Sequence, residues 1–510
     1  MSENSVNNAR IAKNTMLLYF RMILLMLISL YTSRKILEEL GVEDYGIYNI
    51  VSGFIVMLSF INGAISSSTS RYITFALGRN DDVWLKKVFS TCLQSHVVIS
   101  VLILIIGETV GLWIVKNVLV IPSATLNAAL WVYQCSIIST VIMVWSVPFN
   151  ACIIAHERMS AFAYISVFES IAKLLIVFAL GLVESDRLIL YAVLLLLVQV
   201  SISGIYVYYG FKNFQETKSK LLFEKGLFKE TMSYAGWSLW GGLAAALFTQ
   251  GVNFVLNIFF GPVVNAARGL AVTVQSSVQQ FSSNFQTALN PQITKAYASN
   301  LLNEMHVLII RSSKFTFFLI FCLSLPIILE TKFVLDVWLK EIPEYTVSFV
   351  RIMLVICIID AMANPFMTAI AATGRVKKYH CLIGGILLTI VPIAYISLYV
   401  GGAPISVFYV QLIIFIVAFV VRLIFVATMI GLSISRYLRE AIVPCLIIVL
   451  FSVIPMYLLQ EILPENFITS LMIMCISFVL VLILSYCIGL TKGERFFIIN
   501  KFSHLIGRIN

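Results

Sequence analysis

Apolar residues occur in blocks of about twenty along nearly the whole chain, each block separated from the next by a short polar stretch. The blocks lie at about 14 to 36, 45 to 68, 89 to 115, 126 to 149, 161 to 183, 188 to 210, 234 to 259, 264 to 289, 313 to 331, 347 to 370, 381 to 400, 405 to 429, 441 to 460 and 467 to 489. About 20 apolar residues in a helix cross the hydrocarbon layer of a bilayer. The pattern therefore predicts an all-α polytopic membrane protein with about fourteen transmembrane helices. Composition agrees, because the chain is 60% hydrophobic and only 12% charged, whereas a soluble domain carries roughly 25% charged residues. The first block follows Arg10 and Lys13 and contains Arg21, which suits a retained first span better than a cleaved signal peptide.

The loops give an orientation. Lys and Arg are retained on the cytoplasmic side. With the N-terminus inside, the inner segments hold roughly two dozen basic residues and the outer ones about six. The inner loops then include Arg71 to Lys87, Lys212 to Lys229, Lys295 to Lys314 and Arg375 to Lys378, with Arg436, Arg439 and the tail from Lys492 to Arg508. The outer loops are acidic, as at Glu38, Glu39, Glu43 and Asp44. Both termini are expected in the cytoplasm.

Part of the sequence repeats. Gly41 and Gly261, Ile73 and Ile293, Thr74 and Thr294, Ala76 and Ala296, and Asn80 and Asn300 all differ by 220. PFNACIIAHER from Pro148 matches PFMTAIAATGR from Pro365 at an offset of 217. The shift carries the first six spans onto the next six. An even number of spans per repeat keeps both halves in one orientation, so the lobes should be related by an axis along the membrane normal. The expected organisation is an N-terminal lobe over 1–210, a cytoplasmic linker over 211–233, and a C-terminal lobe over 234–430. Two extra helices over 441–489 and a tail over 490–510 complete it.

Polar residues inside spans mark a protein contact or a water-filled cavity. In the eighth span Arg268, Gln275, Gln279, Ser282 and Gln286 form one strip at helical spacing. In the second, Ser52, Ser59, Ser66 and Ser70 form a similar strip, which also suits close helix packing. The seventh span holds Gln250, Asn253 and Asn257, and the first holds Arg21 with Asn14 and Thr32. Other intramembrane charges are Glu169 and Lys173, four residues apart and able to pair, Arg351 and Arg422, able to snorkel, and Asp360 with Asn364 a turn later. Asp360 suits either a proton or sodium site or a counter-ion for an arginine. Guanidinium forks match phosphate and carboxylate, while amides and hydroxyls match sugars, so the polar faces indicate an anionic, hydroxyl-rich cargo.

Several chemistries are excluded or disfavoured. The net charge of +10 lies in short loops rather than on a solvated basic domain, so no nucleic acid partner is expected. The nine cysteines lack a Cys-x-x-Cys pair or a His at ligand spacing, so they read as core filling, and no cofactor is expected. No glycine-rich phosphate loop points to ATP.

The opening ARIAKNTMLLYFRMILLMLISLYTSRKILEELGVEDYGIYNI, above all Leu40-Gly41 followed by Tyr45-Gly46-Ile47-Tyr48, resembles the polysaccharide and O-antigen repeat-unit flippases. These belong to the multidrug, oligosaccharidyl-lipid and polysaccharide flippase superfamily. The resemblance implies two lobes in a V, alternating access, and a polyprenyl-pyrophosphate-linked oligosaccharide moved across a bacterial inner membrane for lipopolysaccharide, capsule or other surface polysaccharide. It also implies polysaccharide assembly proteins as partners. On this reading Arg21 and Arg268 hold the pyrophosphate, Gln275, Gln279, Gln286 and Asn253 hold the sugars, and Asp360 or Glu169 couples a proton or sodium ion. A multidrug cation antiporter of the same superfamily is the alternative, though it would favour carboxylates over arginines. A membrane-embedded polymerase or ligase would need a large outer loop with catalytic groups, whereas the longest here is about residues 332 to 346.

Overall fold

The computed structural model describes residues 3–58, 69, 72–73, 76–77, 81–156, 158–182, 186–218, 224–373, 376–491 and 493–495. The side chains of 3–22, 54–58, 230–246 and the single positions 159, 284, 287, 288, 291, 295, 298 and 376 are not among those described. Every regular element among the described residues is helical. In chain order these are α1 Glu3–Leu58, α2 Asp82–Ile106, α3 Leu112–Asn117, α4 Leu126–Ala155, α5 Met159–Leu180, α6 Arg187–Asn213, α7 Lys225–Phe260, α8 Pro262–Ala298 and α9 Leu302–Leu329. They continue with α10 Thr331–Trp338, α11 Thr346–Thr373, α12 Val376–Leu388, α13 Ile390–Tyr399, α14 Ser406–Ile430, α15 Ile434–Tyr437, α16 Val443–Ile462 and α17 Phe467–Leu484. Ten helical stretches among the described residues are long and apolar enough to cross a membrane. This is a multi-pass membrane protein.

The remaining four of the expected fourteen runs fall in α1, α7 and α8, except that the end of the second, 59–68, lies outside the described residues, and the count of fourteen stays an expectation. Elsewhere the helices refine the sequence reading. The ninth run begins at Leu302 rather than near 313, which carries Arg311 into the helix, where it and Lys314 both pair with Glu494, an acidic side chain distant in sequence. The eleventh run is two helices that meet at Thr389. Some helix starts are capped by a side chain, as where Asp81 accepts from the amides of Val83 and Trp84 at 3.1 and 2.9 Å.

The chain packs as two compact units, Met1–Leu270 with Leu388–Pro404, and Ala271–Leu387 with Ile405–Asn510. In the first unit α4 packs on α6 and α2, and α1 on α5, α4 and α7, while α13 lies along α7. The second is centred on α11, which packs against α9 and α14, with α16 and α17 also packed on α9. Packing divides the chain inside α8, whereas the repeat led to an expected division at a linker over 211–233, which includes the end of α6 and the start of α7. The two describe different properties.

One residue pair related by the 220 offset shares a backbone conformation. Gly41 has φ 78° and ψ 172°, and Gly261 has φ 75° and ψ −168°. A side chain excludes this region, so each position requires glycine. Gly41 breaks α1 internally, and Gly261 separates α7 from α8. Pro148 and Pro365, paired by the second offset, both sit inside helices.

On the outside of the bundle, α16 and α17 leave large apolar side chains exposed, among them Leu446 at 61% and Ile483 at 53%. Water would not tolerate such faces over two whole helices, and hydrocarbon does.

Candidate functional site

The Tyr-Gly-Ile-Tyr motif is a docking device inside the first unit. Tyr45 and Ile47 are buried, and the Tyr48 ring meets Tyr191 edge-on at 5.0 Å. A Cβ on Gly46 would collide with the backbone carbonyl of Pro262. Only glycine lets α1 and the start of α8 approach so closely. Further along α8, Gly269 lies against the Asn49 amide in the same way.

This close approach brings polar side chains together. Asn49 donates to Tyr45 O at 2.8 Å, and Asn253 donates to Asn49 O at 3.4 Å. Asn265 in turn donates to the Asn253 carbonyl oxygens, Oδ1 at 2.6 Å and O at 2.9 Å. Asn257 accepts from Val120 N at 2.9 Å and so pins the α3–α4 connection to α7. Asn253 is 3% exposed and Asn257 fully buried. These amides therefore brace helices.

Arg268 continues the polar group and differs from it. It is 7% exposed, its Nη2 donates to Thr249 O at 2.7 Å, and its Nε has no acceptor. No carboxylate forms an ion pair with it among the described residues. An arginine is charged under all ordinary conditions. Its burial without a counter-ion is the least compensated electrostatic feature described in the first unit. The Arg21 side chain, its expected companion, lies outside the described residues, as do Ser59, Ser66 and Ser70.

The rest of the α8 strip belongs to the second unit. Gln286 is 5% exposed and donates to Ala361 O at 3.1 Å and Thr316 Oγ1 at 3.4 Å. Gln279 Oε1 accepts a weak bond from Cys357 Sγ at 3.8 Å. Gln275 is half-buried, and Ser282 is fully buried with an unpartnered hydroxyl. The strip therefore faces α11 at Cys357 and Ala361, on either side of Asp360.

Of the remaining candidate charges two pairs are neutralised, and Arg351 is exposed. Asp360 Oδ1 accepts from Arg422 Nη1 at 3.0 Å, with Arg422 buried and the Asp360 side chain 26% exposed. Glu169 pairs with Lys173 at 2.6 Å in the first unit. Arg351 donates to Thr331 Oγ1 at 3.2 Å and Leu329 O at 3.5 Å.

Sequence reading missed a three-residue ion cluster in the second unit. Lys314, 2% exposed, donates to Glu494 Oε2 at 2.9 Å, and Arg311 reaches Glu494 Oε1 at 3.1 Å. Burial pushes the Glu494 carboxyl up, but Lys314 and Thr491 outweigh it and hold the group below its ordinary range. The cluster fastens the segment after α17 to α9. The partners are 180 residues apart, so spacing held no clue to it.

Comparison with known proteins places this arrangement. The family model described as polysaccharide biosynthesis protein matches residues 11–297. The chain belongs to the polysaccharide biosynthesis protein family. Among solved structures, it is similar to an inward closed lipid II flippase MurJ at 13% identity and TM-score 0.73, over 93% of this chain and 98% of that one. It is also similar to an inward-facing multidrug resistance MATE family transporter of the MOP superfamily, at 15% identity and TM-score 0.66, over 80% and 94%. The MATE multidrug transporter DinF-BH, solved as a complex, matches at 15% identity and TM-score 0.62, over 82% and 95%. At such identities the likeness is one of fold, shared by flippases and multidrug transporters. No curated protein matches the chain by sequence.

Proposed function

We propose that this member of the polysaccharide biosynthesis protein family is a non-enzymatic flippase. It moves a polyprenyl-pyrophosphate-linked oligosaccharide across a bacterial inner membrane by alternating access, with both termini in the cytoplasm, and supplies O-antigen, capsule or a related surface polysaccharide. The observation that carries the reading is Arg268, a buried guanidinium with no carboxylate partner among the described residues. A permanent cation in a span is costly, and a forked donor suits an anionic oxygen pair. Arg21 and Arg268 serve the pyrophosphate in this account, and Gln275 and Gln279 the sugars. Gln286 and Asn253 hold the surrounding helices, since their amides are already engaged.

A multidrug cation antiporter is disfavoured by the same observation, because an unpaired arginine repels a cationic drug. The candidate carboxylates Asp360 and Glu169 are each matched to a base, which leaves neither free to receive one. The test is complementation of a host lacking its own repeat-unit flippase, scored by surface glycan. Restored glycan with unchanged drug tolerance is expected, and raised drug tolerance without glycan would reverse the assignment.

A further inference from the structure

A buried titratable side chain outside that account lies in the first unit. His96, in α2, is fully buried, and its Nδ1 stands 2.9 Å from Cys92 O one turn earlier. A carbonyl oxygen only accepts, so Nδ1 carries the hydrogen and the neutral ring keeps its lone pair on Nε2. That Nε2 is buried and has no hydrogen-bond partner. The ring is thus fixed in one tautomer with its basic nitrogen open.

The surroundings place this nitrogen in the α2–α4 seam. Phe89 and Phe149 meet at 5.3 Å on one side, and Ser100 Oγ donates to Val141 O at 3.3 Å on the other. Phe89, His96 and Ser100 are spaced by seven and four, so they share a helix face. The hydroxyl of Thr91 and the side-chain carbonyl of Asn150, on these same two helices, are also buried without partners. Buried polar atoms are normally satisfied, so three orphans on one helix pair depart from the usual pattern.

The charges near the seam are few or engaged elsewhere. α4 has no Asp, Glu, Lys or Arg along its length, and its titratable groups are Tyr133, Cys135 and Cys152. Glu108, in the turn after α2, accepts from Gln134 Nε2 at 3.1 Å. Glu216, in the turn after α6, lies 2.7 Å from His156 Nε2. α7 contributes Lys225 and Lys229 at its start, with Glu230 and Tyr234 outside the described side chains. α2 itself adds Asp82, Lys86 and Lys87 in its first turns, and Cys92. A proton on Nε2 would therefore create a new charge in this layer and would not exchange one counter-ion for another.

We propose that Nε2 of His96 is the proton-binding site through which the first unit couples transport to a proton gradient. In the conformation described here the ring is neutral and sealed. When the unit opens, Nε2 takes up one proton from water, the ring becomes an imidazolium donating from both nitrogens, and the proton is released as the cycle closes. Asp360 and Glu169 serve this purpose less well, because each already neutralises a base at 3.0 and 2.6 Å. The inference rests on the transporter reading and not on the identity of the cargo.

The test uses the full chain in lipid nanodiscs with isotope-labelled histidine, the His96 ring signals being assigned by their absence in His96→Gln. The expected result is the Nδ1–H tautomer at high pH and a reversible titration of Nε2 on going from about pH 8 to about pH 4. A ring that stays neutral throughout, or that carries its hydrogen on Nε2, overturns the proposal. In cells where the wild-type protein restores surface glycan, His96→Gln and His96→Asn should each lower it more than tenfold at unchanged membrane abundance, and wild-type glycan from either overturns the proposal too. Arg268→Ala protein should still titrate at His96. A failure of the cargo assignment is thereby read separately from a failure of the proton site.

Discussion

Both packed units bury an arginine in an apolar bundle, and they treat it in opposite ways. In the second unit Arg422 is 6% exposed and meets Asp360 at 3.0 Å. In the first, Arg268 is 7% exposed and among the described residues bonds a backbone carbonyl and no carboxylate. Burial is the same, so desolvation does not separate them, and compensation does. Each leaves its Nε without an acceptor, so the difference is the carboxylate: the charge of Arg422 is neutralised within the fold, whereas a cation without such a partner is stabilised when an anion arrives. The second unit repeats its habit at Lys314, which shares Glu494 with Arg311. This contrast separates charges neutralised within the fold from Arg268, which has no carboxylate partner among the described residues.

The sharpest way to test the compensated side is to remove Glu494. Glu494→Ala leaves Lys314 buried and unpaired, which should cost about 3 to 5 kcal/mol and lower membrane abundance severely. The Lys314→Met, Glu494→Leu double variant should recover most of that abundance, as quantified by immunoblot. Next in size is Gly46→Ala, whose Cβ would meet Pro262 backbone rather than a movable side chain. The overpacking should cost about 1 to 3 kcal/mol and lower the melting temperature of the purified protein. Asp360→Asn should be milder than Glu494→Ala because Asp360 keeps contact with its surroundings at 26% side-chain exposure. An ion-gradient dependence that disappears in Asp360→Asn would move the coupling site to the second unit.

The smallest effect is in acid. Burial raises the Glu216 carboxyl, but its bond to His156 and the backbone outweighs this and holds the folded value below the ordinary one. The contribution of this pair is therefore complete above the unfolded carboxylate pKa, about 4.3, and is lost as pH falls through the lower folded value. The melting temperature of the wild type should fall over that window, and Glu216→Gln should flatten the dependence. No change is expected near neutrality.

What could be read in the sequence follows from range. Helices depend on neighbours within a few residues, so apolar blocks located them, and Gly41 with Gly261 emerged from simple subtraction. Glu169 with Lys173 was legible as a pair because four residues separate them in one helix. Asp360 with Arg422 is 62 residues apart and Lys314 with Glu494 is 180, and no local pattern encodes such contacts. Asn253 and Gln286 looked like cavity residues because an amide in a span looks the same whether it braces a helix or faces a solute. Arg268 stood out in sequence for the reason it stands out in structure, since it has no acid within helical reach.

The central claim is that Arg268 is left uncompensated for an anionic cargo, and the most direct measurement is surface glycan produced by Arg268→Ala, Arg268→Lys and wild type at matched membrane abundance. Arg268→Ala should lose nearly all glycan, and Arg268→Lys should keep part of it, because lysine retains the charge and loses the planar fork. Abundance should stay close to wild type in both, since no ion pair is broken. Normal glycan from Arg268→Ala, or loss of glycan that merely tracks loss of protein, would contradict the account.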